Sequence, residues 1–408
     1  MLAALEKGVK GGRWYSLMDK VYAPANLAAA WKRVRSNRGA AGVDGQSVAL
    51  FERDAQKYLD ELHQELREGT YRPSAVRRQY IPKVGTTQKR PLGIPTIRDR
   101  IVQTALRHVL EPLWEVKFAD PSYGFRPGRG CKDALRRVQS LVRSGSKWVV
   151  DADIQSYYDS IDHGRLLTDI AKEVGDGKVV GLIEQLLEQP VMEEASKWTP
   201  EEGIPQGSTI GPLMANIYLH PVDEALVRAQ YEVVRYADDL VILCRNEGDA
   251  HAALRRLRQE MEKRGLTLHP EKTRVVNVHQ GGFDFLGYHF EGNSQRPRKK
   301  SLVKFKDRVR ALTRRRNGQS WTTLIKRLNA TVRGWFEYFK HSAKSTFPPL
   351  DAWIRMRLRA IQLRRHKKRG VGKGLCHYDW TNEYFAKLGL FTMTTARAAA
   401  SRSLKGAH

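Results

Sequence analysis

Two stretches of this sequence place carboxylates where an apolar run ends or turns. In Tyr231-Glu-Val-Val-Arg-Tyr-Ala-Asp-Asp-Leu-Val-Ile-Leu-Cys244, apolar residues lie on both sides of Asp238 and Asp239. This predicts two strands joined by a tight turn, with the acidic pair at the bend. In Lys147-Trp-Val-Val-Asp-Ala-Asp-Ile-Gln-Ser-Tyr-Tyr-Asp159, Asp151 and Asp153 are two apart, on one face of a predicted buried strand. A carboxylate at the end of a central strand is costly unless a cation compensates it. Asp is also a common turn residue, so the acidic turn decides little until a third carboxylate and phosphate-binding cations join it. On adjacent strands, Asp153 and Asp238 would come together and could hold two magnesium ions roughly 3.5–4 Å apart, against a triphosphate and an attacking hydroxyl. Phosphoryl transfer of that kind needs positioning and cations more than a protein nucleophile. No Ser-His-Asp or Cys-His arrangement stands out in the chain.

Composition agrees with a polyanionic partner. The 408 residues include 71 Lys and Arg against 44 Asp and Glu, a formal charge of +27. A compact fold with that excess repels itself unless a polyanion is the working partner; nucleic acid is the first candidate and an anionic membrane surface the second. Hydrophobic residues make up 41%, enough for two or three folded domains. No apolar run approaches the roughly 18 residues of a spanning helix, and the N-terminus lacks a secretory layout. Cys131, Cys244 and Cys376 are far apart, which argues against a disulfide framework or a structural zinc site. The expected location is the cytosol.

The surrounding elements must position the carboxylates. Helices are predicted over 26–35, with Asn26 as its cap, and over 51–68, ending at Gly69. Residues 75–95 read as two strands around a basic turn, with Arg77, Lys83 and Arg90 either meeting an anionic group or lying solvated. Further helices are expected over 98–118, 164–189, 213–227 and 249–264. The character changes near residue 301: residues 301–370 hold 20 Lys and Arg but only 3 Asp and Glu. Helical periodicity there runs through Leu324, Leu328, Val332, Trp335 and Phe339, an aromatic stripe that reads as core before it reads as a base-stacking platform.

Taken in order, Asp153-Ile-x-x-Tyr-Tyr-Asp159, Pro205-Gln-Gly207 and Tyr236-Ala-Asp-Asp239 resemble the motif series of a reverse transcriptase. Gly42-Val-Asp-Gly45, Tyr71-Arg-Pro73, Pro91-Leu-Gly-Ile-Pro95, Tyr123-Gly-Phe-Arg-Pro-Gly128 and Phe285-Leu-Gly-Tyr288 narrow the resemblance. They are similar to the proteins of bacterial group II introns, reverse transcriptases that also act as maturases. Each motif is modestly specific; the ordered set, spread over about residues 20–390, is highly so.

The resemblance implies an α+β right-hand fold, with fingers and palm around a central antiparallel sheet followed by an α-helical thumb. On that reading, residues 1–300 form fingers and palm, with an N-terminal extension within 1–45. Residues 301–370 form the basic thumb or maturase domain, and 371–408 a short C-terminal segment. It further implies RNA-templated DNA synthesis from dNTPs with two Mg2+ ions, intron RNA binding that assists splicing and mobility, and a bacterial, nucleoid-associated location. Partners would be structured intron RNA and a DNA primer or target, with no membrane.

Carried over by motif, Asp153, Asp238 and Asp239 would be the catalytic carboxylates, and the Ile154 carbonyl a further metal ligand. Tyr158 would exclude a ribose 2′-hydroxyl. Lys83 and Arg90 would hold the triphosphate, and Arg77 would contact template or nucleotide. Gln206 would position the incoming nucleotide, and Lys272 would protonate the departing pyrophosphate. Phe285-Leu286-Gly287 would grip the primer, and Arg333 lies in the segment expected to bind RNA. Ser208-Thr-Ile-Gly211 departs from the family pattern, which puts fine geometry in question. No Cys- and His-rich nuclease domain precedes His408, so no DNA endonuclease activity is expected. Two alternatives stay open: a related polymerase recruited to host defence or DNA repair, and an RNA-binding splicing factor with a dispensable polymerase site.

Overall fold

The computed structural model describes residues 13–82, 89–193 and 196–405. It divides into two compact units, one of residues 1–141 and 148–275, the other of residues 142–147 and 276–408.

The first unit is a mixed helix and sheet body on a single apolar core. Its central sheet has the strand order β6-β7-β3-β8, with β3 at Trp148–Asp153, β6 at Glu232–Tyr236, β7 at Asp239–Cys244 and β8 at Arg274–Asn277. The strands β3 and β7 are buried along most of their length, which is why their sequences read as near-continuous Val, Leu and Ile. A helix at Gly211–Arg228 packs against this sheet and buries residues on most of its sides. A second sheet, ordered β2-β1-β4-β5, contains β1 (Val76–Pro82), β2 (Lys89–Ile94), β4 (Val191–Glu193) and β5 (Ser196–Trp198). Both strands expected over 75–95 are present and pair antiparallel, while the basic turn between them, residues 83–88, lies outside the described residues.

Local chemistry sets the helix ends. Thr96 caps Ile97–Glu115 by accepting from the Asp99 N–H, and Gly69 closes Ala55–Glu68 in the left-handed region. The helical stretch expected over 164–189 consists of two helices, His163–Ala171 and Gly177–Leu187. Asp176 starts the second by accepting from the Lys178 and Val179 N–H groups, a cap that apolar periodicity does not show. Asn26 is not a cap either. Pro24 begins that helix, and the Asn26 amide donates to the carbonyls of Lys20, Val21 and Ala105.

The second unit has its own core, built on Phe305, Leu324, Leu328, Val332, Phe336, Phe347 and Leu358. These come from the helices Lys299–Leu312, Trp321–Phe339 and Phe347–Arg365. The unit also holds a three-stranded sheet, β11-β10-β9, made of β9 (Phe283–Phe285), β10 (Tyr288–Glu291) and β11 (Ser294–Pro297). The sequence changes charge at 301, whereas the fold changes unit at 276.

Candidate active site

Tyr236 faces Asp239 across the β6–β7 pairing, so Ala237 and Asp238 form a two-residue turn. Such turns require positive φ. Ala237 adopts φ 60°, which costs a residue bearing a Cβ about 1–2 kcal/mol. A neighbouring backbone leaves it little choice: a Cβ on Gly124 would lie 2.3 Å from the Ala237 nitrogen. On the other side of β7, Asp239 is the direct partner of Asp153 at the end of β3. Three carboxylates from two distant parts of the chain thus share one sheet edge.

Their electrostatics follow from crowding. Asp238 keeps solvent contact, yet the protein set around its carboxyl raises its pKa, and the Asp153 charge adds to the rise; Arg90 and Arg235 oppose it. Arg90, on β2, therefore acts on the acidic turn through its charge. Tyr158 follows β3 in a short turn at Tyr157–Ser160. Burial, helped by the Asp238 charge, pushes its phenol up to about 12, so the ring carries no charge at neutral pH. Tyr157 beneath it is buried, and its hydroxyl donates to the Ala215 carbonyl at 2.5 Å.

Lys272 reaches Asp153 from the loop that crosses the end of β3, with Nζ 2.8 Å from Oδ2. Both side chains are about half exposed, and a pair of that kind contributes little to stability. The crossing itself is made by backbone: the His269 N–H donates to the Asp153 carbonyl, and the Gln155 N–H to the Thr267 carbonyl. The Ile154–Leu268 bridge between them uses those flanking groups. Among the described residues no donor meets the carbonyl of Ile154.

Gln206 is tied to β2 by its backbone, whose carbonyl accepts from the Gly93 N–H at 2.6 Å. Gly207 makes that approach possible, because a Cβ there would sit 2.2 Å from the Gly93 oxygen at φ 117°. Ser208 and Thr209, where the sequence leaves the family pattern, both donate to Gln103 Oε1, through Oγ at 3.1 Å and N–H at 2.8 Å. Arg77 is spent locally, its Nε and one terminal nitrogen donating to the Ala41 carbonyl. Lys83 lies outside the described residues.

The remaining predicted residues belong to the second unit. Phe285 is buried, and Leu286 and Gly287 turn with φ 46° and 83°. Helix residues fasten that turn: Tyr338 Oη donates to the Leu286 carbonyl at 2.7 Å and Ser301 Oγ to the Gly287 carbonyl at 3.0 Å. Arg333 lies over the Phe391 ring at 4.9 Å.

Sequence reasoning missed Arg235 and Asp223, which form a fully buried ion pair behind the acidic turn, with Nε to Oδ1 at 2.7 Å and the second contact at 2.5 Å. A signal was available for Arg235, a charge between Val233-Val234 and Tyr236-Ala237, but not for Asp223, which sits beside Glu224. It also missed Asp99, which is buried and accepts from Tyr71 Oη at 2.6 Å and from the Ser74 N–H at 3.2 Å.

The donor set suits a hard divalent cation: three carboxylates and a free carbonyl, all oxygen. Among the described residues no three acidic, His or Cys side chains are closed around one point. Asp153 is paired with Lys272.

Known proteins share sequence with most of this chain. Residues 81–290 match the reverse transcriptase (RNA-dependent DNA polymerase) family, and residues 302–378 the group II intron maturase-specific domain. Group II intron-encoded protein LtrA of Lactococcus lactis subsp. cremoris is 35% identical over 214 residues, which is 52% of this chain and 35% of LtrA. Protein YkfC of Escherichia coli (strain K12) is 32% identical over 318 residues, 67% of this chain and 82% of YkfC. The chain thus spans about a third of the first relative and four-fifths of the second. A chain of a partial Cas6-RT-Cas1–Cas2 complex is 23% identical, with TM-score 0.40 over 60% of this chain and 42% of that one, too loose a likeness to favour a role in such an assembly. With the reverse transcriptase model matching half of the chain, the maturase-specific model directly behind it, and four-fifths of YkfC covered, this chain belongs to the reverse transcriptase family, in the group that carries a group II intron maturase domain.

Proposed function

We propose that the protein is an RNA-directed DNA polymerase that also binds group II intron RNA and assists its splicing and mobility. The observation that carries this is the pairing of Asp153 with Asp239 across β3 and β7, with Asp238 held in the adjoining turn. Asp153, Asp238, Asp239 and the Ile154 carbonyl would hold two magnesium ions. When bound, these supply Lewis-acid stabilisation of the attacking 3′-oxygen and of charge on the departing pyrophosphate.

The protein groups around them divide the remaining work. The primer 3′-hydroxyl gives its proton to solvent, and its oxygen bonds to the α-phosphorus of a dNTP as the bond to pyrophosphate breaks. Arg90, and Lys83 with it, bind the triphosphate by charge, and Lys272 Nζ is the proton donor to the leaving group. Lys272 Nζ, 2.8 Å from Asp153 Oδ2, would turn from that carboxylate to the pyrophosphate. Tyr158 presents a neutral ring that leaves no room for a 2′-hydroxyl, and the Gln206 loop, braced on β2, positions the nucleotide. Arg77, fastened to Ala41, contributes through the finger loop or the template. Phe285-Leu286-Gly287 grips the primer, and Arg333 with its basic neighbours contacts RNA. The site of action is the bacterial cytoplasm, with the nucleoid supplying target DNA. No helix among the described residues is long and apolar enough to cross a membrane.

Primer extension on an RNA template with magnesium tests the reading. Asp238→Ala should reduce it by at least about a thousandfold, while intron RNA affinity stays within twofold. Synthesis that survives the substitution would remove these carboxylates from the chemistry. A second reading, a splicing factor with a dispensable polymerase site, is favoured by one observation: the basic helical unit has a separate core. Unimpaired splicing by Asp238→Ala together with intact extension by the wild type would show that both activities reside in the chain.

A further inference from the structure

Arg235 sits one residue before the acidic motif, and its side chain is 1% exposed beside Asp223 at the same value. All five of its N–H groups have acceptors. Nε and one terminal nitrogen clasp the two Asp223 oxygens. That terminal nitrogen also donates to Ser122 Oγ at 2.8 Å. The other donates to Asn216 Oδ1 at 3.0 Å and to the Ala237 carbonyl at 2.8 Å. The last of these bonds falls on the strained residue of the turn.

The same group ties in a second segment. Asn216 Nδ2 donates to the Gly124 carbonyl at 2.8 Å, and it is the Gly124 backbone that packs against the Ala237 nitrogen. Arg235 also exchanges backbone bonds with that segment, its N–H donating to the Pro121 carbonyl and its own carbonyl accepting from the Tyr123 N–H. Both sides of the Ala237 residue are thus fixed, the carbonyl by the guanidinium and the nitrogen by a backbone that the Arg235 pair helps to hold.

Stability alone does not account for such a group. A buried ion pair is often replaced by apolar residues of similar size at no loss. What apolar residues cannot do is hold a carbonyl at φ 60°. The orientation of that peptide sets where the Asp238 carboxylate projects.

We propose that Arg235 is a positioning residue for the polymerase reaction: its guanidinium, aimed by Asp223, Asn216 and Ser122, locks the Ala237–Asp238 turn in the conformation that binds metal. The proposal rests on the reading of Asp238 as a metal ligand. It makes the Arg235 fork, and not its charge alone, the requirement, because lysine offers a point charge without the planar set of donors.

The test uses the full chain in four forms beside the wild type: Arg235→Lys, the paired change Arg235→Met with Asp223→Leu, Asn216→Ala and Asp238→Ala. Three quantities are read: melting temperature, kcat and KM for dNTP in primer extension, and Mn2+ affinity from paramagnetic resonance titration without nucleotide. The paired apolar variant should melt at or above the wild-type temperature. Its kcat should nonetheless fall roughly a hundredfold, the scale of a small misplacement of a reacting group, with KM little changed. Its Mn2+ affinity should fall about tenfold or more, as for other residues that orient metal ligands. Arg235→Lys should show the same split, and Asn216→Ala, which keeps the ion pair, a weaker form of it.

A paired variant with wild-type kcat and Mn2+ affinity would overturn the proposal and leave the pair a core element. Should the Arg235 variants not fold, Asn216→Ala decides: unchanged kcat and Mn2+ affinity in it overturn the proposal, and the split supports it. Retained extension by Asp238→Ala is a different failure, that of the catalytic reading itself.

Discussion

The two units differ in where they place their ion pairs. The first buries several charged groups on named partners: Arg235 with Asp223 and Asp99 with Tyr71 are shielded from solvent, and Arg126 is buried against a partly exposed Glu115. The second buries Arg359 on the Trp380 carbonyl and Asn382, and Asp351 on the Met393 and Thr394 N–H groups, and carries most of its basic residues outside. Pairs such as Arg310 with Asp307 there are more than half exposed. Buried, fully bonded charge fixes geometry at a cost in desolvation. Exposed, unbalanced charge fixes nothing, but it attracts a polyanion at range. The difference teaches which substitutions should change turnover in the first unit and which should change affinity in the second.

The widest gap between the units is expected in their stabilities. Leu328 is fully buried in the second core, so Leu328→Ala should destabilise that unit by about 2–5 kcal/mol. Scanning calorimetry of the whole chain should then show one transition moving down by several degrees while the other stays. If both move together, the two cores do not melt separately and the comparison loses its basis.

Salt gives the next contrast. If the second unit neutralises about four phosphates of bound RNA, its affinity should drop roughly a hundredfold between about 50 and 200 mM monovalent salt, through counterion release. The dNTP KM in primer extension should change far less over that range. A flat response of RNA affinity would take the helices Lys299–Leu312 and Phe347–Arg365 out of the binding face.

Within the first unit, Asp176 offers a test by pH. Burial pushes its carboxyl up, but the N–H groups of Leu17, Met18, Val179 and Lys178 outweigh that and leave it below the ordinary carboxylate range. A lowered pKa in the fold means stability that is present above the unfolded value, near 4, and is lost as pH falls through the folded one. Asp176→Asn keeps one acceptor oxygen, strands two of the four donors, and should cost about 1–2 kcal/mol at pH 7. Urea melts from pH 7 down to 3 should show that deficit shrinking as the wild type loses its own bonds. A deficit constant with pH would mean that the carboxylate charge contributes nothing.

The sequence made visible whatever depended on neighbours in the chain. The hairpin at Ala237-Asp238 shows in its flanking apolar runs and acidic turn, the basic strand pair at 75–95 in its Gly-containing turn, and the helices of the second unit in their period. The carboxylates were legible because an acid at the end of an apolar strand has few structural uses. What stayed hidden was long-range. Arg235, Asn216, Gly124 and Ser122 meet across as many as 113 residues, and no local pattern says which partner a buried charge will find. The break at 172–176 was hidden for a related reason, since Asp176 bonds backward to Leu17 and Met18 as well as capping its own helix. Arg77 read as free for an anion because the carbonyl of Ala41, its acceptor, belongs to a loop far away in sequence.

The smallest effect discriminates most finely between the two uses of charge. Asp307 pairs with Arg310 three residues on, in the helix Lys299–Leu312. It is one of the 3 acidic residues of 301–370. An exposed pair of this spacing contributes less than about 0.5 kcal/mol, so Asp307→Ala should leave the melting temperature within a degree or two. Removing the acid frees Arg310 and adds one unit of positive charge to the face. RNA affinity at about 50 mM salt should therefore rise by a few-fold, and the gain should vanish at high salt. In the first unit, the loss of one partner from Arg235 is expected to change turnover and leave no such salt signature. An Asp307→Ala variant that lost stability, or bound RNA more weakly, would mean that the second unit also uses its ion pairs to hold geometry.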